Sequence, residues 1–176
     1  ALVIGLGNPL RGDDGIGPAV IEALRLEADA DLTLVESDGH DLTEWLASDE
    51  YERIVVVDAA DLGRESGAWR RLTPARLTAS PAGEISHRLG LAQSLELLTA
   101  LGLRPVAPIS IYAVQPASVA WSTGLSREAR RAVQAVAAAI RQELGLPEPS
   151  RRTAEARTVL RTEGEVRWLP TCAKRP

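Results

Sequence analysis

Carboxylates recur in this chain directly after apolar runs. LVIGL (Leu2–Leu6) opens into GNPLRGDDGIG, where Asp13 and Asp14 stand side by side. DLTLVES leads to Glu36 and Asp38, and RIVVVDAAD ends on Asp58 with Asp61 beyond it. His87, one of two histidines, lies in SHRLGL ahead of a helical pattern. Crowded carboxylates repel one another, and burying one unpaired costs several kcal/mol, so the set calls for a cation, a shared proton or water. Asp14, Asp58 and His87 offer two oxygen ligands and one imidazole nitrogen. That donor set suits borderline divalent metals and leaves coordination positions open for reaction.

The glycines around Asp13 and Asp14 raise a competing chemistry, the phosphate cradle. GLGNPL lacks the third glycine of the dinucleotide fingerprint, and the acids that follow would repel a pyrophosphate. We therefore read GNPLRGDDG as a cation-facing loop. Taken singly, an Asp after a strand is most often a cap or turn former, and a lone His before a helix a surface residue. The distinguishing feature here is convergence on one rim.

Convergence requires elements that deliver these residues to the same place. Leu2–Leu6 and Ile54–Asp58 are apolar at nearly every position, the mark of strands buried on both faces. Asp31–Ser37 and Val106–Val114 read as further strands, with Pro108 at a start or edge position, and Trp69–Leu72 as a minor one. Helices are expected from about Gly15 to Glu27, from a cap at Asp41 through Trp45 to Ala47, and after His87 with Leu91, Leu95 and Leu98 on one face. Ser126 caps the clearest helix, whose Ala129, Val133, Val136, Ala137, Ile140 and Leu144 form one stripe ended by Gly145 and Pro147. Alternation of this kind implies an α/β fold, a largely parallel sheet with helices on both faces. In such a sheet ligands bind outside the carboxyl ends of the strands, where the acids collect.

Composition narrows the class. Residues 1–147 read as a single α/β domain, and 148–176, rich in Arg and Glu, as a tail that is a hairpin around Glu163–Gly164 or disordered. Hydrophobic residues make up 45% of the chain and aromatics only 3%, so the core is aliphatic. A net charge of −4 argues against nucleic acid as a partner. No apolar run approaches the roughly 20 residues that span a bilayer. The start, ALVIGLG, has no basic leader and reads as core strand, and the single cysteine, Cys172, suits a reducing, cytoplasmic setting. No G-x-S-x-G elbow is present.

The stretches GLGNPLRGDDGIG, VVVDAADLG and SHRLGL, in that order, resemble the hydrogenase maturation endopeptidases. These proteins trim a short C-terminal extension from the large subunit of nickel–iron hydrogenases. The resemblance covers roughly Leu2 to Leu144. It implies a three-layer α/β/α fold around a mostly parallel, five-stranded sheet, and an endopeptidase nominally of the aspartic type. Its metal ligands would be Asp14, Asp58 and His87. The metal is expected to be nickel already placed in the large-subunit precursor, though another divalent cation can occupy such a site.

Asp14, Asp58 and Asp38 are the candidate catalytic residues. A metal that polarises the scissile carbonyl and a carboxylate base at Asp14 or Asp38 both stay open as routes. Asn8, Gly39 and His40 are the candidate substrate contacts. Many relatives carry DGGT where this chain has DGHD (Asp38–Asp41), a difference that bears on which precursor tail is admitted. The partner expected is the precursor, engaged by a monomer with no membrane attachment. The alternative is a non-catalytic α/β module that binds a metal or a nucleotide.

Overall fold

Runs apolar at successive positions must be covered on both faces, and three such runs form the middle of one sheet. β1 (Leu2–Leu6), β3 (Ile54–Ala59) and β5 (Ile109–Val114) are buried at every position. The more polar β2 (Thr33–Ser37) and β4 (Trp69–Leu72) lie at the two edges. Strand order is β2-β1-β3-β5-β4, all parallel except β4, which runs antiparallel to β5. The computed structural model describes residues 1–25, 32–78 and 89–147, so His87 and the tail 148–176 lie outside the described residues.

Alternation along the strands sorts the core into two layers. Val3, Val55, Val57 and Val114 face α1 (Ile16–Arg25) and α5 (Arg127–Leu144). Leu2, Ile4, Leu6, Ile54 and Val56 face α2 (Leu42–Ala47) and α4 (Leu89–Ala100), through Leu42, Leu46, Leu91, Leu95 and Leu98. This is the three-layer α/β/α arrangement with a five-stranded sheet. A short helix, α3 (Pro74–Thr78), packs beside α4 and has no counterpart in the sequence reading, because five residues are too few to show a stripe.

Several ends follow local chemistry. Ser126 caps α5, its Oγ accepting from the Ala129 N–H at 3.1 Å, and Gly145 ends it in the left-handed region at φ 66°. β5 begins at Ile109 rather than Val106, since Pro108 has no N–H to give the ladder; its carbonyl accepts from the Ile54 N–H instead. Asp41 occupies the position before α2 but does not cap it. Its carboxylate is bonded by the Ser37 hydroxyl and by Trp45 Nε1 (3.0 Å). These two donors hold Asp41 below the usual carboxylate range.

At the edge opposite the strand exits, Glu143 of α5 staples the antiparallel strand to the sheet. Arg71 Nε lies 2.7 Å from its Oε2, and the hydroxyls of Tyr112 (2.7 Å) and Ser110 (2.6 Å) donate to the same carboxylate. Burial alone would raise the Glu143 pKa, but the bonds from Arg71, Ser110 and Tyr112 outweigh it and the net direction is downward. A depressed carboxyl contributes stability above its unfolded pKa, about 4.3, and that stability is lost as pH falls through the folded value. Glu143→Gln is expected to cost about 2 kcal/mol near neutral pH, because its amide nitrogen confronts donors. It should also flatten the acid side of the stability profile. Urea unfolding between about pH 3 and 7 checks both; an unchanged acid slope would show that Glu143 does not titrate with folding.

Candidate functional site

The strand order creates a topological feature that no single element contains. From β1 the chain crosses through α1 to β2, then returns through α2 on the opposite face to β3, on the far side of β1. The loops leaving β1 and β3 therefore diverge at a topological switch point, where open α/β sheets bind their ligands.

Two buried carboxylates flank it. Asp14 sits in a 3-10 turn, Gly12–Gly15, between β1 and α1, and is 3% exposed. Its Oδ2 accepts the Asn8 N–H at 3.0 Å. Asp58, near the end of β3, is 9% exposed and shares its pleat face with Ile54 and Val56, towards the α2 and α4 layer. The turn that carries Asp14 packs against β3. α4 leads into the parallel strand β5, so it starts at the same carboxyl edge, and His87 stands two residues before its first residue, Leu89. Among the described residues no three His, Cys, Asp or Glu side chains form a group that could hold a metal ion. Asp14 and Asp58 supply hard oxygen donors of the kind the expected trio requires.

The neighbouring acid, Asp13, has a different task. It is 2% exposed, and it accepts from the Ala117 N–H (2.8 Å), the Ser126 N–H (2.6 Å) and the Ser126 hydroxyl (2.8 Å). It ties the first loop to the segment ahead of α5. Two other acids of the sequence reading have partners of their own. Glu36 pairs with Arg25 at 3.0 Å in solvent, and Asp61 accepts the Gly63 N–H in its own turn.

The loop is closed to phosphate by its own hydrogen bonds. A phosphate cradle needs outward-pointing N–H groups. Here Gly7 donates to the Ser37 carbonyl, Asn8 to Asp14, Leu10 to Asn8 Oδ1 and Arg11 to the Asn8 carbonyl. Gly12 donates to Ser122, Asp13 to Ser118 and Asp14 to Arg11. The glycines serve contact instead: a Cβ on Gly7 (φ 139°) would lie 1.8 Å from the Asp14 carbonyl oxygen, and one on Gly17 2.1 Å from that of Leu6. They let β1 and α1 meet backbone to backbone.

The remaining candidates cluster after β2, whose end Ser37 sits beside Leu6 and Gly7. Asn8 spends its Oδ1 on the Leu10 N–H, holding the turn. Gly39 takes φ 99° and donates to Ser37 Oγ. Asp38 and His40 are exposed and joined, His40 Nδ1 lying 2.8 Å from Asp38 Oδ1. That bond holds the Asp38 carboxyl below its ordinary range and so weakens it as a proton acceptor. The sequence reading missed the part played by residues 115–126, whose exposed QPASVAWSTGLS carries no periodic signal. Among the described residues no helix is long and apolar enough to cross a membrane.

Fold and site together define a three-layer α/β protein with an acidic switch point in place of a phosphate-binding one. The model of the family described as hydrogenase maturation protease (HycI) matches residues 19–143, well over half of the chain. The chain belongs to that family of peptidases. The matched span contains Asp38, Asp58 and His87, and the Asn8–Asp14 loop precedes it.

Solved structures agree with this fold. The chain is similar to the [NiFe] hydrogenase maturation protease HycI of Thermococcus kodakarensis KOD1, with a TM-score of 0.65 and 22% identity over 80% of this chain and 89% of that one. It is also similar to HybD of Thermococcus kodakarensis, a [NiFe] hydrogenase maturation protease, with a TM-score of 0.64 and 28% identity over 81% and 97%. The hydrogenase-maturating endopeptidase HybD of E. coli gives 0.60 and 26% over 81% and 92%. A comparison with curated protein sequences gives no match.

Proposed function

We propose that this chain hydrolyses one peptide bond in a nickel–iron hydrogenase large-subunit precursor, releasing its C-terminal extension once nickel is in place. The observation that carries the reading is the pair of buried carboxylates, Asp14 and Asp58, at the exits of β1 and β3 on either side of the switch point. Nickel is cargo of the substrate in this scheme. Asp14, Asp58 and His87 complete its coordination when the precursor docks, which makes metal loading the condition for cleavage. A metal so held polarises a carbonyl or acidifies a bound water.

Asp14 is the better placed of the two carboxylates considered as base. It is buried beside the switch point, whereas Asp38 is exposed and its hydrogen bond with His40 makes it a weaker proton acceptor. Asp38, Gly39 and His40 then act as contacts for the incoming tail, with Asn8 shaping the turn that presents Asp14. A monomer acting on a soluble precursor in the cytoplasm is sufficient for this scheme.

The test is a processing assay on nickel-loaded and nickel-free precursors, with the C-terminal mass followed by mass spectrometry. Loss of the extension only from the loaded form is expected. Equal cutting of both forms would end the metal-sensing role while leaving the peptidase. No cutting across a panel of precursors would end the processing reading.

A further inference from the structure

The loop after β5 is clipped to the loop that carries Asp14. Gly12 N–H donates to the Ser122 carbonyl (2.8 Å), Ser122 N–H to that of Leu10 (3.0 Å) and Asp13 N–H to that of Ser118 (3.0 Å). Arg11 Nε donates to the Val119 carbonyl at 3.2 Å. With both backbones ordered in this way, two large apolar side chains are left outside: Leu10 is 57% exposed and Trp121 77%. The Arg11 guanidinium lies 6.0 Å from the centroid of the Trp121 ring, and none of the ion pairs among the described residues engages it.

An indole this exposed adds little to the core, while its apolar surface remains in water. Trp and Arg side by side on a pre-ordered backbone are the residue types that dominate interface energetics. The guanidinium fork matches a carboxylate, and the ring face beneath it favours the cation. Arg11 is the one cation among these three residues, and on a chain of net charge −4 it is too little for nucleic acid or an anionic membrane, which need several.

We propose that Leu10, Arg11 and Trp121 form the docking platform for the precursor. It seats an apolar side chain against Trp121 and Leu10, and an acidic side chain on Arg11, from the extended stretch next to the cleaved bond. The inference rests on the processing function proposed above and names how that substrate is held. Platform and site are continuous: Arg11 precedes Asp14 by three residues, and its carbonyl accepts the Asp14 N–H at 3.1 Å. Three extended residues span about 10 Å, so a peptide seated there brings its neighbouring bonds within reach of Asp14.

Steady-state processing of nickel-loaded precursor by wild type, Trp121→Ala and Arg11→Glu tests the platform. KM is expected to rise about tenfold in each variant, with kcat falling far less. A precursor whose acidic residues beside the cut are changed to Lys should recover in Arg11→Glu and worsen in wild type. Trp121→Ala removes no buried packing, so it isolates the contact even if Arg11→Glu weakens the clip. Unchanged KM in both variants, with normal wild-type cutting, overturns the platform and leaves the processing function standing. If wild type cuts no precursor, calorimetric binding of the loaded precursor decides. Binding weakened about tenfold in Trp121→Ala upholds the platform without processing, and absent or unweakened binding overturns it.

Discussion

Asp58→Asn should lower kcat/KM on nickel-loaded precursor by about 10³-fold or more, equivalent to about 4 kcal/mol of transition-state stabilisation. The replacement keeps shape and removes the charge. Asp58 lies at the end of a strand buried along its whole length, with no other acid on β3, so nothing on its own strand can replace it as an oxygen donor. Asp14→Asn should follow it, since an amide oxygen can still accept the Asn8 N–H while donating far less charge to a cation.

The accompanying stability separates function from scaffolding. Asp14 and Asp58 are each buried, and holding carboxylate charge out of water disfavours the folded state, so removing one charge should leave the melting temperature unchanged or raise it. Activity lost at undiminished stability is the expected pattern, and His87→Ala should share it. Wild-type rates in Asp58→Asn would remove that residue from the reaction. A large fall in melting temperature would make it a packing residue.

One position earlier in the first loop the pattern should invert. Asp13→Ala is expected to destabilise the fold by about 4 kcal/mol, among the largest effects of any single substitution in the described chain. Its carboxylate is the acceptor for the Ala117 N–H, the Ser126 N–H and the Ser126 hydroxyl, all in a part-buried setting. Removing it strands those donors and loosens the cap of α5, because Ser126 Oγ also accepts the Ala129 N–H. Asp13→Asn should fall between, since its amide nitrogen meets donors. Urea denaturation of the three proteins measures this. A loss under about 1 kcal/mol for Asp13→Ala would mean that the clip is held by its backbone bonds alone.

Adjacent acids with opposite signatures show where sequence reasoning stops. As a pair of letters, Asp13 and Asp14 both read as carboxylates at a strand exit. The partners that distinguish them lie far along the chain: Ala117 is 104 residues and Ser126 113 residues from Asp13, while Asn8 is six from Asp14. The same distance hid the clip between the two loops, and with it the setting of Arg11 and Trp121. Neither loop has a repeating pattern, and the bonds that join them are mostly between backbone groups that any sequence possesses.

What could be read without coordinates rests on local physics. Buried strands must be apolar throughout, so β1, β3 and most of β5 were legible to within a few residues. The stripe of α5 and its Ser126 and Gly145 ends follow from a 3.6-residue period and from capping chemistry. Asp14 and Asp58 stand out in the sequence because carboxylates at strand ends are costly unless something offsets them, and the structure buries both, while His87 lies outside the described residues. What coordinates alone supplied is the spatial order of the strands. That order makes the exits of β1 and β3 neighbours across a switch point and puts β4 antiparallel at the edge, because strand pairing depends on contacts between segments distant in sequence.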